Sequence, residues 1–184
     1  MANEVETQVI DAKGLNRTIT RLAHEIVERN RDVENLVVLG IRTRGVPLAQ
    51  RIVDRIEEIE DKPVPLGILD VTMYRDDVFK NIKQPVVGTT EIKFGIDGKV
   101  VILVDDVLFT GRTVRAALDA IIDFGRPMKI QLAVLIDRGF RELPIRADYV
   151  GQSLITTLDE QVKVNVKEID GQDGVFLVKS LKET

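Results

Sequence analysis

Apolar residues recur along this chain in two rhythms. Between Asp11 and Asn30, Leu15, Ile19, Leu22, Ala23 and Ile26 return at helical spacing and mark the buried face of an amphipathic helix. Leu36 to Ile41, LVVLGI, is a short unbroken apolar run, the pattern of a strand covered on both faces in a parallel sheet. A helix follows, with Pro47 in its first turn, and runs to about Glu60. The same pair of signals returns at Val100–Val104 and then at Val114, Ala117, Leu118 and Ile121. Gly125 caps that second helix and Pro127 keeps it from resuming. Leu66–Tyr74 and Ile130–Ile136 read as further strands, and Ala147–Gly151 as a short strand or turn. Val162–Val166 alternates with period two and pairs with Val175–Val178 as a final hairpin. Strands alternating with helices predict an α/β fold with a central, mainly parallel sheet flanked by helices. From Arg75 to Gly98 neither rhythm holds, and a connection that long is a lid, a hairpin or a binding loop. No repeat, low-complexity tract or linker interrupts residues 1–184, so one domain is expected.

Composition narrows the chemistry. The 44% apolar and 30% charged shares are those of an ordinary globular protein, and no stretch has the length of a membrane span. The polar start MANEVETQ lacks signal-peptide character, so the cytoplasm is the expected compartment. With no Cys, disulfides and thiolate metal sites are excluded. His24 is the sole imidazole, which disfavours zinc and histidine-based triads. A net charge of −4 means that any nucleic-acid contact needs a local basic patch.

The central unit carries the chemistry. Asp105 and Asp106 stand where the Val100–Val104 strand should end, followed by Thr110-Gly111-Arg112-Thr113 and a helix start. A helix N-terminus offers free N–H groups and a favourable dipole to an anion. Gly111 lets the backbone approach a phosphate, while Thr110 and Thr113 offer hydroxyls. Paired carboxylates accept from vicinal sugar hydroxyls or hold a hydrated Mg²⁺. A second loop of this kind, Gly40-Ile41-Arg42-Thr43-Arg44-Gly45, closes the Leu36–Ile41 strand. It lies at the sheet edge where open α/β folds bind ligands, and it lacks the Lys-Ser/Thr of a P-loop.

VILVDDVLFTGRT, residues 101–113, resembles the phosphoribosyl pyrophosphate (PRPP) signature of type I phosphoribosyltransferases. GIRTRG, LDVTMYRDD and DRGFRELPIRADYVG extend the likeness over nearly the whole chain, to the bacterial pyrimidine-operon attenuation regulators with uracil phosphoribosyltransferase activity. The resemblance implies the type I phosphoribosyltransferase fold, with a small hood over the base near residues 137–151 and a flexible catalytic loop within Arg75–Gly98. It implies transfer from PRPP to uracil, giving UMP, with Mg²⁺ held mainly through PRPP and water. PRPP would be held by Val101, Ile102, Leu103, Val104, Asp105, Asp106, Val107, Leu108, Phe109, Thr110, Gly111, Arg112 and Thr113. Of these Asp105 and Asp106 would be catalytic, with Arg75. Thr43 and Arg44 would hold pyrophosphate, and Arg138, Tyr149 and the Val150 backbone the base. Tyr149 reads equally well as a half-buried core aromatic.

The same resemblance places Thr20, Arg21, His24, Arg29, Arg141 and Arg146 on pyrimidine-operon leader RNA, with UMP or UTP as effector. Read alone, the stripe Arg17, Thr20, Arg21, His24 and Glu28 is a solvated helix face. The chain departs from the regulators at Phe140, where His is usual, and at Gln152, where Lys is usual. Both changes remove polar groups and weaken the expected RNA contact. Phe109 stands where purine phosphoribosyltransferases often carry Asp, which argues against a purine. It also leaves the acceptor of the uracil N1 proton unassigned. A phosphoribosyltransferase for purines or orotate with no RNA role, and a non-catalytic nucleotide sensor, are the alternatives. A symmetric dimer or higher homo-oligomer would suit an RNA site of one helix and one loop.

Overall fold

The structure, a computed structural model, describes residues 4–76 and 88–180. Its larger sheet is wholly parallel, in the order β3-β2-β4-β5-β6. The strands are β2 (Leu36–Ile41), β3 (Leu66–Leu69), β4 (Val100–Leu108), β5 (Lys129–Asp137) and β6 (Tyr149–Ser153). β4 is central, and its alternate residues serve two cores, as a period of two requires. Val100, Ile102 and Val104 pack with helices α1 (Ala12–Arg29) and α2 (Gly45–Glu60). Val101 and Leu103 pack on the other side with Val114, Ala117 and Ile121 of α3 (Arg112–Ile122). The predicted buried stripe of α1 is the one observed, and Asp11 caps its start by accepting from the Gly14 N–H at 2.7 Å.

β4 runs past the predicted end at Val104. Asp105 pairs with Val134 and Val107 with Ile136, so the two acids lie within the strand. β3 is shorter than expected. After Leu69 the Asp70 carboxylate accepts from the N–H groups of Thr72 (2.8 Å) and Gly88 (2.6 Å), turning the chain into a 3₁₀ turn at Thr72–Tyr74. The core of the expected flexible loop, residues 77–87, lies outside the described residues. After it Glu91 bridges Ile68 antiparallel, and Ile96 is fully buried.

A second sheet is antiparallel, in the order β1-β8-β7. β7 (Glu160–Asn165) and β8 (Gly174–Ser180) form the predicted hairpin, and β1 (Glu4–Ile10) joins β8 as an unpredicted third strand. Ion pairs fix this sheet to the larger one. Arg51 of α2 donates to Glu168 (2.8 and 2.6 Å) and to Asp173 (3.0 and 2.8 Å), around the one-turn helix α4 (Lys167–Asp170).

Of residues 147–151, expected in the hood, Tyr149, Val150 and Gly151 lie in β6 of the larger sheet, which has its parallel partner in β5. Tyr149 accordingly faces α1 and is 2% exposed. Its hydroxyl donates to Gln131 Oε1 (3.0 Å) and accepts from Asn30 Nδ2 (2.9 Å), and that nitrogen also reaches Gln131 (2.8 Å). A buried polar cluster is stable only when its members are paired. Tyr149→Phe removes one hydroxyl from it and is expected to cost about 1–2 kcal/mol. A urea titration should show a lower midpoint at unchanged slope; an unchanged midpoint would show that the cluster contributes nothing.

Candidate functional site

Both glycine loops sit at the C-terminal edge of the parallel sheet, on neighbouring strands. After β4, Gly111 adopts φ 94°, a conformation open to glycine at little cost, and ends the turn that starts α3. A cavity of about 340 Å³ lies over this helix start. It is lined by Arg75, Asp105, Val107 through Val114 and Glu142. The first turn of a helix has N–H groups without intrahelical partners, so the cavity suits a phosphate. Arg112 turns aside, donating to Glu142 and Asp76 at 2.6 Å each.

The segment after β5 braces this turn. The Thr110 carbonyl accepts from the N–H groups of Glu142 (2.9 Å) and Leu143 (3.2 Å), and the Phe109 carbonyl accepts from Arg141 Nη1 (2.8 Å). Arg138 is 8% exposed, with its guanidinium carbon 4.0 Å from the Phe109 ring centre. Its Nη2 donates to the Glu160 carbonyl (2.9 Å), so it ties the phosphate turn to the start of β7. Burial lowers its affinity for a proton.

Asp105 and Asp106 follow each other along β4 and so face different spaces. Asp105 is 7% exposed and lines the phosphate-turn cavity. Burial first, and then the neighbouring Asp106 charge, push its carboxyl well above the usual carboxylate range. Its Oδ1 accepts from the Asp106 N–H (2.9 Å), and Asp106 Oδ1 from the Val107 N–H (2.8 Å). Asp106 lines a second cavity of about 500 Å³, together with Arg44, Glu4, Glu6 and β7 residues Gln161 to Val164. The small sheet therefore faces Asp106, while Asp105 shares its cavity with Glu142 of the segment after β5.

The other loop presses on β4: a Cβ on Gly45 would come within 2.6 Å of the Val104 carbonyl. The Arg42–Thr43 peptide is cis and Thr43 is exposed. Arg44, expected on pyrophosphate, donates to both oxygens of Asp170 (3.0 and 2.7 Å), and this pairing holds the Asp170 carboxyl below its usual range. Arg42 donates to the Thr89 carbonyl (2.6 Å). What this loop presents beside Asp106 is therefore its backbone, with Arg44 half-buried.

Tyr149 and Val150 line neither cavity. Tyr149 belongs to the core, and the Val150 carbonyl accepts from Arg21 (3.3 Å). Arg21, His24 and Arg29 are exposed along α1, with Thr20 half-buried beside them. Arg21 also reaches the Gly151 carbonyl and Glu25, and Arg29 approaches Asp148 (3.7 Å) and the Tyr149 ring. The α1 stripe and the segment from exposed Arg146 to Gln152 thus form one face of mixed charge. Arg141 is not a free cation on it, since its guanidinium is spent on Asp137 and on carbonyls of its own and the phosphate turn.

Asp70, Asp170 and the β1 and β7 residues carried no local signal. Asp70 sits inside a quoted motif, yet its role depends on Gly88, and Asp170 meets Arg44 across 126 positions. No group of three His, Cys, Asp or Glu able to hold a metal occurs among the described residues. Two carboxylates fit a hydrated Mg²⁺ that takes its remaining oxygens from a substrate and water. No helix among the described residues is long and apolar enough to cross a membrane.

Comparison with known proteins agrees with this geometry. The phosphoribosyl transferase domain family matches residues 6–170. The bifunctional protein PyrR of Pelotomaculum thermopropionicum is 58% identical over 180 residues, 98% of this chain and 99% of that one. That of Clostridioides difficile is 58% identical over 172 residues, 94% and 97% of the two chains. Among solved structures, a Bacillus anthracis hypoxanthine-guanine phosphoribosyltransferase has TM-score 0.70 at 20% identity, covering 97% of this chain and all of the other, a likeness of fold alone. With an acid pair between two glycine turns and these relatives at nearly full length, the chain belongs to the phosphoribosyltransferase family, in its bifunctional PyrR branch.

Proposed function

We propose that the protein transfers the phosphoribosyl group of PRPP to uracil and, loaded with a uracil nucleotide, binds pyrimidine-operon leader RNA to attenuate transcription. The observation that carries the reading is the acid pair at the end of β4, with a phosphate turn on one side and a second cavity on the other. The 5′-phosphate takes the turn from Thr110 to Thr113. The ribose hydroxyls meet Asp105 and Asp106, whose carboxyl oxygens accept hydrogen bonds from them. Pyrophosphate lies over the backbone of the Thr43–Arg44 turn, and uracil stands between the acids and β7. The C1–oxygen bond to pyrophosphate breaks, uracil N1 bonds to C1, and the N1 proton is released. Mg²⁺ would be held mainly through PRPP and water, with Asp105 and Asp106 as the protein oxygens at hand, and would supply neutralising charge. The chain's own part is to position and to exclude water. Arg138 serves by anchoring the start of β7, and Arg75 by offsetting the charge of Asp105. Phe109 in place of an acid favours a pyrimidine. The mixed-charge face of Arg21, His24, Arg29 and Arg146 is the RNA surface, and its single-helix, single-edge form suits a homodimer or larger symmetric assembly.

Turnover with PRPP and a panel of bases should show uracil preferred over hypoxanthine, guanine and orotate; preference for a purine would sink the assignment. Tyr149→Phe should leave KM for uracil unchanged, since that ring is in the core.

Asp105→Asn with Asp106→Asn should abolish turnover and keep the fold. Because the folded-state pKa of Asp105 is raised, its favourable contribution is complete below about pH 3.8 and is lost as pH rises through the raised value. At neutral pH the raised Asp105 carboxyl therefore costs stability. The double variant should melt about 2–4 °C above wild type at pH 7.5, the gain shrinking toward pH 4. Near-normal turnover in the folded variant, or a lower Tm at pH 7.5, would refute the assignment.

Leader RNA should bind more tightly with UMP present and more weakly as salt rises. Arg21→Gln or Arg146→Gln should each reduce the salt slope by about 1. Absence of binding at low salt with UMP present would leave the enzyme alone.

A further inference from the structure

The segment after β5 doubles back on the phosphate turn, and Arg141 is its tightest point. Its Nε donates to the Ile145 carbonyl (2.9 Å), and its Nη2 to Asp137 Oδ2 (2.6 Å). Its Nη1 donates to the carbonyls of Phe109 (2.8 Å) and Gly139 (3.2 Å). All three nitrogens are engaged, and the side chain is 22% exposed. Such a guanidinium reaches a nucleic-acid phosphate only by abandoning these part-buried acceptors, each of which loses a bond from a charged donor.

The acceptors on the turn matter for a second reason. A peptide unit is planar and moves as one body. The carbonyl of Phe109 shares its plane with the N–H of Thr110, and the carbonyl of Thr110 shares its plane with the N–H of Gly111. Thr110 and Gly111 line the phosphate cavity, while the two carbonyls are held by Arg141 and by the N–H groups of Glu142 and Leu143. An anion that draws those N–H groups toward itself therefore pulls on residues 141–143. The Phe109 ring adds a further tie, edge-on to Phe140 with ring centres 6.2 Å apart. Phe140 itself has φ 56°, a left-handed conformation uncommon for a bulky residue, with its ring 41% exposed.

We propose that Arg141 is a positioning residue of the phosphate turn, which conveys occupancy of that turn to the 140–146 surface, and is not itself a contact to RNA. The inference rests on the proposed transfer and RNA-binding functions and reassigns Arg141 within them. A nucleotide then strengthens RNA binding through the two peptide planes, and by linkage RNA tightens the nucleotide.

The test uses the full chain with Arg141→Lys and Arg141→Gln. Lys keeps the charge that a phosphate contact needs, but loses the fork that holds several acceptors at once. Both variants are expected to raise KM for PRPP about tenfold, as the loss of bonds from a charged donor implies, with KM for uracil unchanged. With the leader transcript of the pyrimidine operon and no nucleotide, both should keep wild-type affinity and salt slope. Added UMP should tighten the wild-type complex and leave both variants unaffected. A slope lowered by about 1 in Arg141→Gln but kept in Arg141→Lys would mark a direct phosphate contact and overturn the proposal. A retained UMP response with unchanged KM for PRPP in Arg141→Lys would overturn it as well. Should wild type bind no RNA at low salt, the regulatory reading fails, and the KM comparison alone decides whether Arg141 positions the turn.

Discussion

Two carboxylates in the last turns of a buried strand set the terms for everything near them. β4 has both faces covered up to Val104, and the next residue is an acid at 7% exposure. An ionised group there loses most of its hydration, and its neighbour is a second acid. The fold relieves this in part with backbone donors, the N–H groups of Asp106 and Val107, and with the field of Arg75. The rest of the relief must come from what binds. A ligand with hydrogen-bond donors or positive charge would supply what the protein withholds at this edge. The strand cannot avoid the cost by ending earlier, because its bonds to β5 continue through Leu108 and set the height of the phosphate turn.

This arrangement also explains which parts of the protein were legible in the sequence. β2, β4 and β5 are buried on both faces and therefore read as unbroken apolar runs; α1 is buried on one, and its period gave Leu15 through Ile26 residue for residue. β1 has the alternation of a strand, yet six of its seven residues are exposed, so only pairing with β8 makes it one. Tyr149 shows a different limit. Parity along β6 fixes that it alternates with Val150, but which face meets α1 depends on the order of strands. Arg141 shows a third. A basic loop is visible in the letters, whereas the Phe109 carbonyl 32 positions away, the partner that ties Arg141 to the turn, leaves no trace there.

The small sheet joins the α1–α2 core through Ile10, Val164 and Val175, and ion pairs add what apolar contact alone does not give. Apolar packing fixes distance but tolerates sliding, while a guanidinium gripping carboxylates in two planes fixes orientation. Arg51 grips Glu168 and Asp173 together, and Arg44 grips Asp170 three residues before Asp173. The two arginines lie on the first and second turns of α2 and its cap, so α4 is held at both ends by one rigid helix. That helix begins in the loop pressed against Val104. The position of β7 over Asp106 is thereby referred to the same strand that carries Asp106. The cavity under β7 and Asp106 share one frame, and a shift of α2 along β4 would move both together instead of opening a gap between them.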